Sequence, residues 1–189
     1  MKIRVIYLAA GFSRRFGENK LLYQWEGKAL YRHLLDRWIA LWMERQDIGE
    51  IVVVTRYPQI GEELADAPVR TIFNEHSHLG ISSSLQAGLR TGGEEEMDAY
   101  LCSVADQPYL QKDTLAAFLD GYENSGKGIG VIECGGHLGN PVIFHKKYRD
   151  ELLSLTGDRG GKQVVKAHRG DIWALKLRDS KELQDIDVK

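Results

Sequence analysis

Three stretches of this chain combine side chains able to handle a phosphorylated ligand. The first is Leu8-Ala9-Ala10-Gly11-Phe12-Ser13-Arg14-Arg15-Phe16-Gly17-Glu18-Asn19-Lys20, directly after an apolar run. Small residues at 9, 10 and 11 let a ligand approach the backbone, whose N–H groups can hold anions. Arg15 offers a planar fork that grips a phosphate through two hydrogen bonds, and Lys20 adds a mobile point charge. Together they suit a triphosphate. Arg14 reads as a solvated cation. The loop has neither the spacing of the dinucleotide fingerprint nor the Gly-Lys-Ser/Thr ending of a P-loop. A stretch nearer that ending, Gly121 to Lys127, continues with Gly128 where a metal-binding hydroxyl is required, and it follows a helical pattern instead of a strand.

The second stretch runs from Asn74 through Gly80 into Ile81-Ser82-Ser83-Ser84. Gly80 opens a helix whose first turn carries hydroxyls, and a helix N-terminus attracts polar and anionic groups. Ser82 or Ser83 as a simple helix cap accounts for the pattern equally well. His76 and His78 lack the further ligands of a metal centre. The third stretch, Val104-Ala105-Asp106-Gln107-Pro108, ends an apolar run with a carboxylate, and Pro108 stops regular structure. A carboxylate so placed is a reasonable Mg²⁺ ligand, because Mg²⁺ prefers oxygen and shares its shell with phosphates. A turn-forming Asp is the plainer alternative.

The elements that must position these loops follow from periodicity. Apolar runs at 3–8, 51–54, 69–73, 99–104, 130–133, 142–144 and 172–177 read as strands. Helical spacing appears at 29–44, 60–65, 81–89, 114–122, 148–155 and 163–168, with Asp113 as the expected cap of the fourth. Strands alternating with helices predict βαβ units and a mostly parallel, doubly wound three-layer α/β sheet. No linker or repeat divides the chain, so one domain over 1–189 is expected. Ligands of such sheets bind beyond the carboxyl ends of the strands, where all three loops fall.

Composition sets the outer limits. Lys and Arg total 25 against 27 Asp and Glu, a formal charge of −2, which argues against a broad nucleic-acid or membrane footprint. Cys102 and Cys134 read as small buried hydrophobes in a reducing compartment. No targeting segment and no run near the ~20 apolar residues of a membrane helix is visible. The expected location is the cytoplasm. The four tryptophans, Trp25, Trp38, Trp42 and Trp173, read as core or interface residues.

The pattern Leu8-Ala9-Ala10-Gly11-x-Ser13-x-Arg15-x-Gly17-x-x-Lys20 resembles the signature loop of the MobA-like nucleotidyltransferases. It is most similar to the molybdenum cofactor cytidylyltransferase branch, because Ala9-Ala10-Gly11 resembles that branch more than the GTP-using one, which tends to carry a second glycine there. The resemblance implies a Rossmann-like fold of the nucleotide-diphospho-sugar transferase type. It implies Mg²⁺-dependent transfer of CMP from CTP to molybdopterin or its molybdenum-loaded form, with pyrophosphate released. Leu8, Ala9, Ala10, Gly11, Ser13, Arg15, Lys20, Asn74, Gly80, Ser82 and Ser83 would then bind the nucleotide. Lys20, Arg15 and Asp106 would be catalytic, and Asp106 with Asp187 would hold the metal.

Gly139-Asn140-Pro141 is similar to a segment that usually reads Gly-His-Pro, and Gly157 to Lys162 to a Gly-Asp-x-Gly-Ala-Arg segment. They nominate Gly139, Asn140, Pro141, Asp158 and Lys162 for the acceptor. Asn140 departs from the usual His, Gly161-Lys162 from Ala-Arg, and Asp187 lacks the Thr-Pro and helix that follow it in the family. A molybdoenzyme or its maturation chaperone is the implied protein partner. Two alternatives remain at this stage. One is a transferase acting with another nucleotide, or on a sugar or polyol phosphate. The other is a non-catalytic nucleotide-binding maturation factor, against which the retained Lys20 and Asp106 speak.

Overall fold

The computed structural model describes residues 1–12, 16–17, 19–92 and 96–186. Strand β1 (Ile3–Ala9) lies centrally, parallel to both of its neighbours. Its side chains alternate between two cores. Ile3, Val5, Tyr7 and Ala9 enter one, and Ile6 the other. That is why its sequence is apolar apart from Arg4, whose buried guanidinium is held by Glu50 and the Gly88 and Leu89 carbonyls: a strand covered on both faces has no solvent-facing side.

A two-residue hairpin follows, β2 (Gln24–Trp25) with β3 (Lys28–Ala29), turned at Glu26 and Gly27. Helix α1 (Leu30–Glu44) buries Leu34, Leu35, Trp38 and Leu41 against the first core. Next come β4 (Ile48–Thr55), α2 (Pro58–Glu63), β5 (Arg70–Phe73), α3 (Ile81–Arg90), β6 (Ala99–Val104), α4 (Lys112–Ser125), β7 (Ile129–Cys134), β8 (His137–His145), α5 (Arg149–Leu153), α6 (Lys162–Ala167) and β9 (Ile172–Leu177). The seven-stranded sheet has the order β5-β4-β1-β6-β8-β7-β9. Six strands run one way and β8 runs against both of its neighbours. Helices α1, α2 and α4 contribute to the first core, while α3, α5 and α6 contribute to the second. The result is the mostly parallel, three-layer α/β architecture that the alternating pattern predicts, of the Rossmann-like type that the resemblance implies.

Two local details matter for the site. Helix α3 lies so close to β1 that a Cβ on Gly88 would stand 2.4 Å from Ile6 Cγ2. In β8, pairing with β7 jumps from Val131–Val142 to Ile132–Gly139, leaving Asn140 and Pro141 outside the ladder. Proline has no N–H to contribute there, so a bulge is the natural outcome. Pairing of β6 with β8 ends at Cys102–Val142, and the sheet opens beyond that point. Asp113 does not cap α4. The helix begins at Lys112, two residues before the expected start, Gln111 holds the cap position without a side-chain bond, and Asp113 sits in the first turn.

Candidate active site

The loops after β1, β5 and β6 meet over the carboxyl end of the sheet, around a cleft of about 420 Å³. The first loop supplies Leu8, Ala10, Gly11, Phe12 and Lys20 to its walls. Thr55 at the end of β4 donates its hydroxyl to Ala9 O at 3.0 Å, and the Tyr57 hydroxyl donates to Gly11 O. These bonds fix the turn through its carbonyls. A Cβ on Gly11 would meet no atom of the described residues within 4 Å, which leaves space over this residue for a ligand.

Lys20 lies deep, only 9% exposed. Its Nζ donates to Asp106 Oδ2 at 2.8 Å and to Ile186 O at 3.1 Å. A buried ammonium demands such partners, since desolvation without them is costly. The loop after β6 therefore brings its carboxylate to the cation of the loop after β1, 86 residues away in sequence. Arg37 of α1 donates to Pro108 O and Leu110 O, which fixes the chain just beyond Asp106. A strap near the end of the chain braces this pair from outside the lining. Gln107 Nε2 donates to Leu183 O at 3.2 Å, Ile186 N donates to Asp106 O at 3.0 Å, and the Ile186 side chain is buried with Phe16 and Leu30. Beneath the site, burial pushes the Tyr7 hydroxyl well up from its ordinary value, and the Asp106 charge adds to this. That phenol stays protonated and donates to Tyr31 O at 2.7 Å.

The loop after β5 is organised by Asn74. Its Oδ1 accepts from His76 N, and its Nδ2 donates to the hydroxyls of Ser83 and Ser84 at 3.1 and 3.0 Å. Gly80 sits at φ 102°, and a Cβ there would stand 2.3 Å from the Gly157 carbonyl carbon. Ser82 N donates to Gly157 O at 3.2 Å. Only glycine permits this backbone and this approach. The contact carries Asp158 into the cleft. Neither Ser82 nor Ser83 caps α3 through its side chain; Gly80 holds the cap position, and the Ser83 hydroxyl bonds the Gly80 and His76 carbonyls.

A second lobe of about 580 Å³ adjoins the first where β6 and β8 part. The two share Leu8, Ile81, Val104 and Asp158. The second has an apolar floor, including Leu85, Cys102 and Phe144, with Asn140, Arg159, Lys162 and Lys166 about it. Burial pushes the Cys102 thiol up to about 12, so it remains protonated.

Several nominated residues thus converge. Leu8, Ala10, Gly11, Lys20, Gly80, Asp106 and Asp158 line the first lobe, and Asn140, Asp158 and Lys162 the second. Ala9 is buried in the core beneath. Asn74, Ser82 and Ser83 brace the loop from outside the lining, while Ser84, one turn on from Gly80 and beside Ile81, faces the cleft. Gly139 lines a neighbouring hollow between β7, β8 and α6 instead, and Pro141 belongs to the bulge. Ser13, Arg15 and Asp187 lie outside the described residues. Phe12, Ser84, Arg159 and Lys166 had no sequence nomination. Helical spacing from Ile81 points to Ser84, and from Lys162 to Lys166.

Among the described residues, no group of three His, Cys, Asp or Glu side chains forms a metal centre. Asp106 gives one oxygen to Lys20, and its Oδ1 accepts no hydrogen bond among the described residues. One or two carboxylates beside substrate phosphates is how Mg²⁺ is usually held, so the donor set fits such an ion. No described helix is long and apolar enough to cross a membrane.

A glycine-bearing turn, a buried lysine and an acidic strand tip thus meet around one cleft. The chain belongs to the MobA-like NTP transferase domain family, whose sequence profile matches residues 5–172. The purine catabolism protein PucB of Bacillus subtilis is 26% identical over 97% of this chain and 90% of its own length. A probable molybdenum cofactor guanylyltransferase of Bacillus licheniformis is 29% identical over 80% of this chain and 73% of its own. The fold matches Rv0371c of Mycobacterium tuberculosis H37Rv at a TM-score of 0.79 and 20% identity, covering 100% of this chain and 94% of that one. It matches a nucleotidyl transferase of Methanothermobacter thermautotroptrophicus equally well, TM-score 0.79 at 21% identity, over 99% and 92% of the two chains.

Proposed function

We propose that this chain transfers CMP from CTP, with Mg²⁺, to the phosphate of a molybdopterin-type acceptor and releases pyrophosphate. The observation that carries the transfer is the meeting of Lys20 and Asp106 at the floor of a two-lobed cleft. The triphosphate lies over Ala10 and Gly11, and the acceptor enters the second lobe, where Arg159, Lys162 and Lys166 match an anion and the apolar floor matches a flat heterocycle. Leu8, Ile81, Val104 and Asp158 mark the boundary, where the α-phosphorus and the attacking oxygen meet.

An acceptor phosphate oxygen forms a bond to the α-phosphorus as the bond to the bridging β-oxygen breaks, and pyrophosphate leaves. A phosphate monoester, with a second pKa of about 6, is largely dianionic at neutral pH, so no general base is required. Catalysis reduces to placement and charge stabilisation. Lys20 serves the α-phosphate, and Arg15 with the loop backbone serves the β- and γ-phosphates. Asp106, with Asp187, would hold Mg²⁺, which supplies charge neutralisation on the phosphates. Rv0371c has been solved in complex with manganese, at 20% identity to this chain, which supports a divalent ion in this fold.

The donor base rests on Ala9-Ala10-Gly11, where the GTP-using branch tends to carry a second glycine. Several relatives are named molybdenum cofactor guanylyltransferases, so GTP is the competing donor. Pyrophosphate release with CTP, GTP, ATP and UTP, each with and without molybdopterin, decides the matter. The expected result is release with CTP only when molybdopterin is present. Faster turnover of GTP replaces the base assignment and leaves the reaction class intact. Release with a sugar phosphate and none with molybdopterin replaces the acceptor.

A further inference from the structure

We propose that Lys20 and Asp106 occupy one another in the ligand-free chain, so that the cleft accepts the metal–triphosphate chelate and disfavours either component arriving alone. This deepens, and rests on, the nucleotidyltransferase reading above. The two groups stand 2.8 Å apart, with side chains 11% and 23% exposed. They are held by the same strap: Lys20 Nζ donates to Ile186 O, and Ile186 N donates to Asp106 O. The pair therefore differs from the exposed pairs of this chain, such as Lys112–Glu44, where water readily takes over from either partner.

A free divalent ion approaching Asp106 meets a carboxylate already neutralised, with an ammonium at contact distance. Like charges that close repel strongly in a partly desolvated site. A metal-free triphosphate approaching Lys20 meets the converse, an ammonium already satisfied and a carboxylate beside it. The chelate presents an acceptor to Lys20 and a cation to Asp106 together, so each new contact offsets what the other loses when the pair parts. Linkage requires this coupling to be reciprocal. By whatever factor the bound metal raises triphosphate affinity, the bound triphosphate raises metal affinity by the same factor.

A double-mutant cycle isolates the effect. Wild type, Lys20→Met, Asp106→Asn and the double variant are titrated with Mn²⁺ alone, followed by electron paramagnetic resonance. They are also titrated with CTP in EDTA, followed by calorimetry. Thermal melts verify that each is folded, and Lys20→Gln replaces Lys20→Met if the latter melts early. Lys20→Met should bind Mn²⁺ at least tenfold more tightly than wild type, with the gain absent when Asp106 is already Asn. Asp106→Asn should bind CTP in EDTA at least threefold more tightly, with that gain absent when Lys20 is already Met. No gain in either titration, or gains that persist in the other variant's background, overturns the proposal. Wild type is also titrated with CTP and Mg²⁺ together. Binding there with no gain in the cycle sinks only the mutual occupancy, whereas absence of binding with CTP and equally with GTP, each with Mg²⁺, sinks the nucleotidyltransferase reading beneath it.

Discussion

Replacing Gly80 by Ala should destabilise the protein severely, whereas the same change at Gly11 should not, and the contrast separates scaffold from ligand contact. At Gly80 two costs combine. The backbone at φ 102° is a conformation that L side chains rarely adopt, worth about 1–3 kcal/mol of strain. The new Cβ would also stand 2.3 Å from the Gly157 carbonyl carbon and 2.4 Å from its oxygen, both backbone atoms without a rotamer to change. Overpacking of that kind adds about 1–3 kcal/mol. The total is about 2–6 kcal/mol, a fall in Tm of roughly 4–24 °C for a chain of this size. Gly11 has a normal backbone and open space where its Cβ would stand, so Gly11→Ala should change stability by less than about 0.5 kcal/mol. Its cost should appear in nucleotide affinity, about tenfold, because the methyl enters space assigned to the triphosphate. Urea unfolding at 25 °C measures the first effect, and calorimetric titration with CTP and Mg²⁺ the second. A Gly80→Ala variant within 0.5 kcal/mol of wild type would refute the packing argument. A Gly11→Ala variant binding CTP normally would refute the placement of the ligand.

Four other outcomes are expected. Asp106→Asn should lower kcat about a thousandfold while the melting temperature stays within a few degrees, by pyrophosphate-release assay and calorimetry. Lys162→Ala should raise the KM for the acceptor about tenfold and leave that for CTP unchanged; the reverse pattern would move the acceptor out of the second lobe. Asp171 accepts hydrogen bonds from Lys147, Tyr148 and the Gly128 N–H, with Lys147 and Tyr148 the larger influences, and they hold its carboxyl well below the usual carboxylate range. Its stabilisation is therefore present above an unfolded pKa of about 4 and fades as pH falls below that. Asp171→Asn should cost about 1–2 kcal/mol at pH 7, and the difference from wild type should shrink when urea melts are repeated near pH 3. The Cys102 thiol, pushed up to about 12, should resist iodoacetamide at pH 8 in the native chain and react on unfolding, as read by mass spectrometry.

Much of this architecture is legible in the sequence because both faces of the sheet are covered. Uninterrupted apolar runs such as Ile51 to Val54 and the helical spacing of Leu34, Leu35 and Trp38 each admit few other elements. The β2–β3 hairpin leaves no periodic signal because its strands have two residues each, too few to show alternation. The start of β8 at His137 was hidden because Gly135 and Gly136 make a tight turn and Asn140-Pro141 interrupts the ladder, so only 142–144 carried a strand signal.

In the site, the charged residues Lys20 and Asp106 announced themselves by type. The second-lobe residues Arg159 and Lys166 did not, because a cation beside a short helix looks like any solvated surface charge until the sheet is seen to open below it. Asn74, nominated as a ligand contact, shows a different limit of sequence reading. Its amide is committed to Ser83, Ser84 and His76, a bracing role that depends on three-dimensional neighbours, with nothing in residue type to signal it.

The most direct test of the central claim follows the label when CTP carries ³²P at either the α- or the γ-position, in the presence of Mg²⁺ and molybdopterin. Nucleotidyl transfer at this cleft sends the α-label into the acceptor product and the γ-label into pyrophosphate. Recovery of the γ-label on the acceptor, or as inorganic phosphate with the acceptor unchanged, would contradict the account.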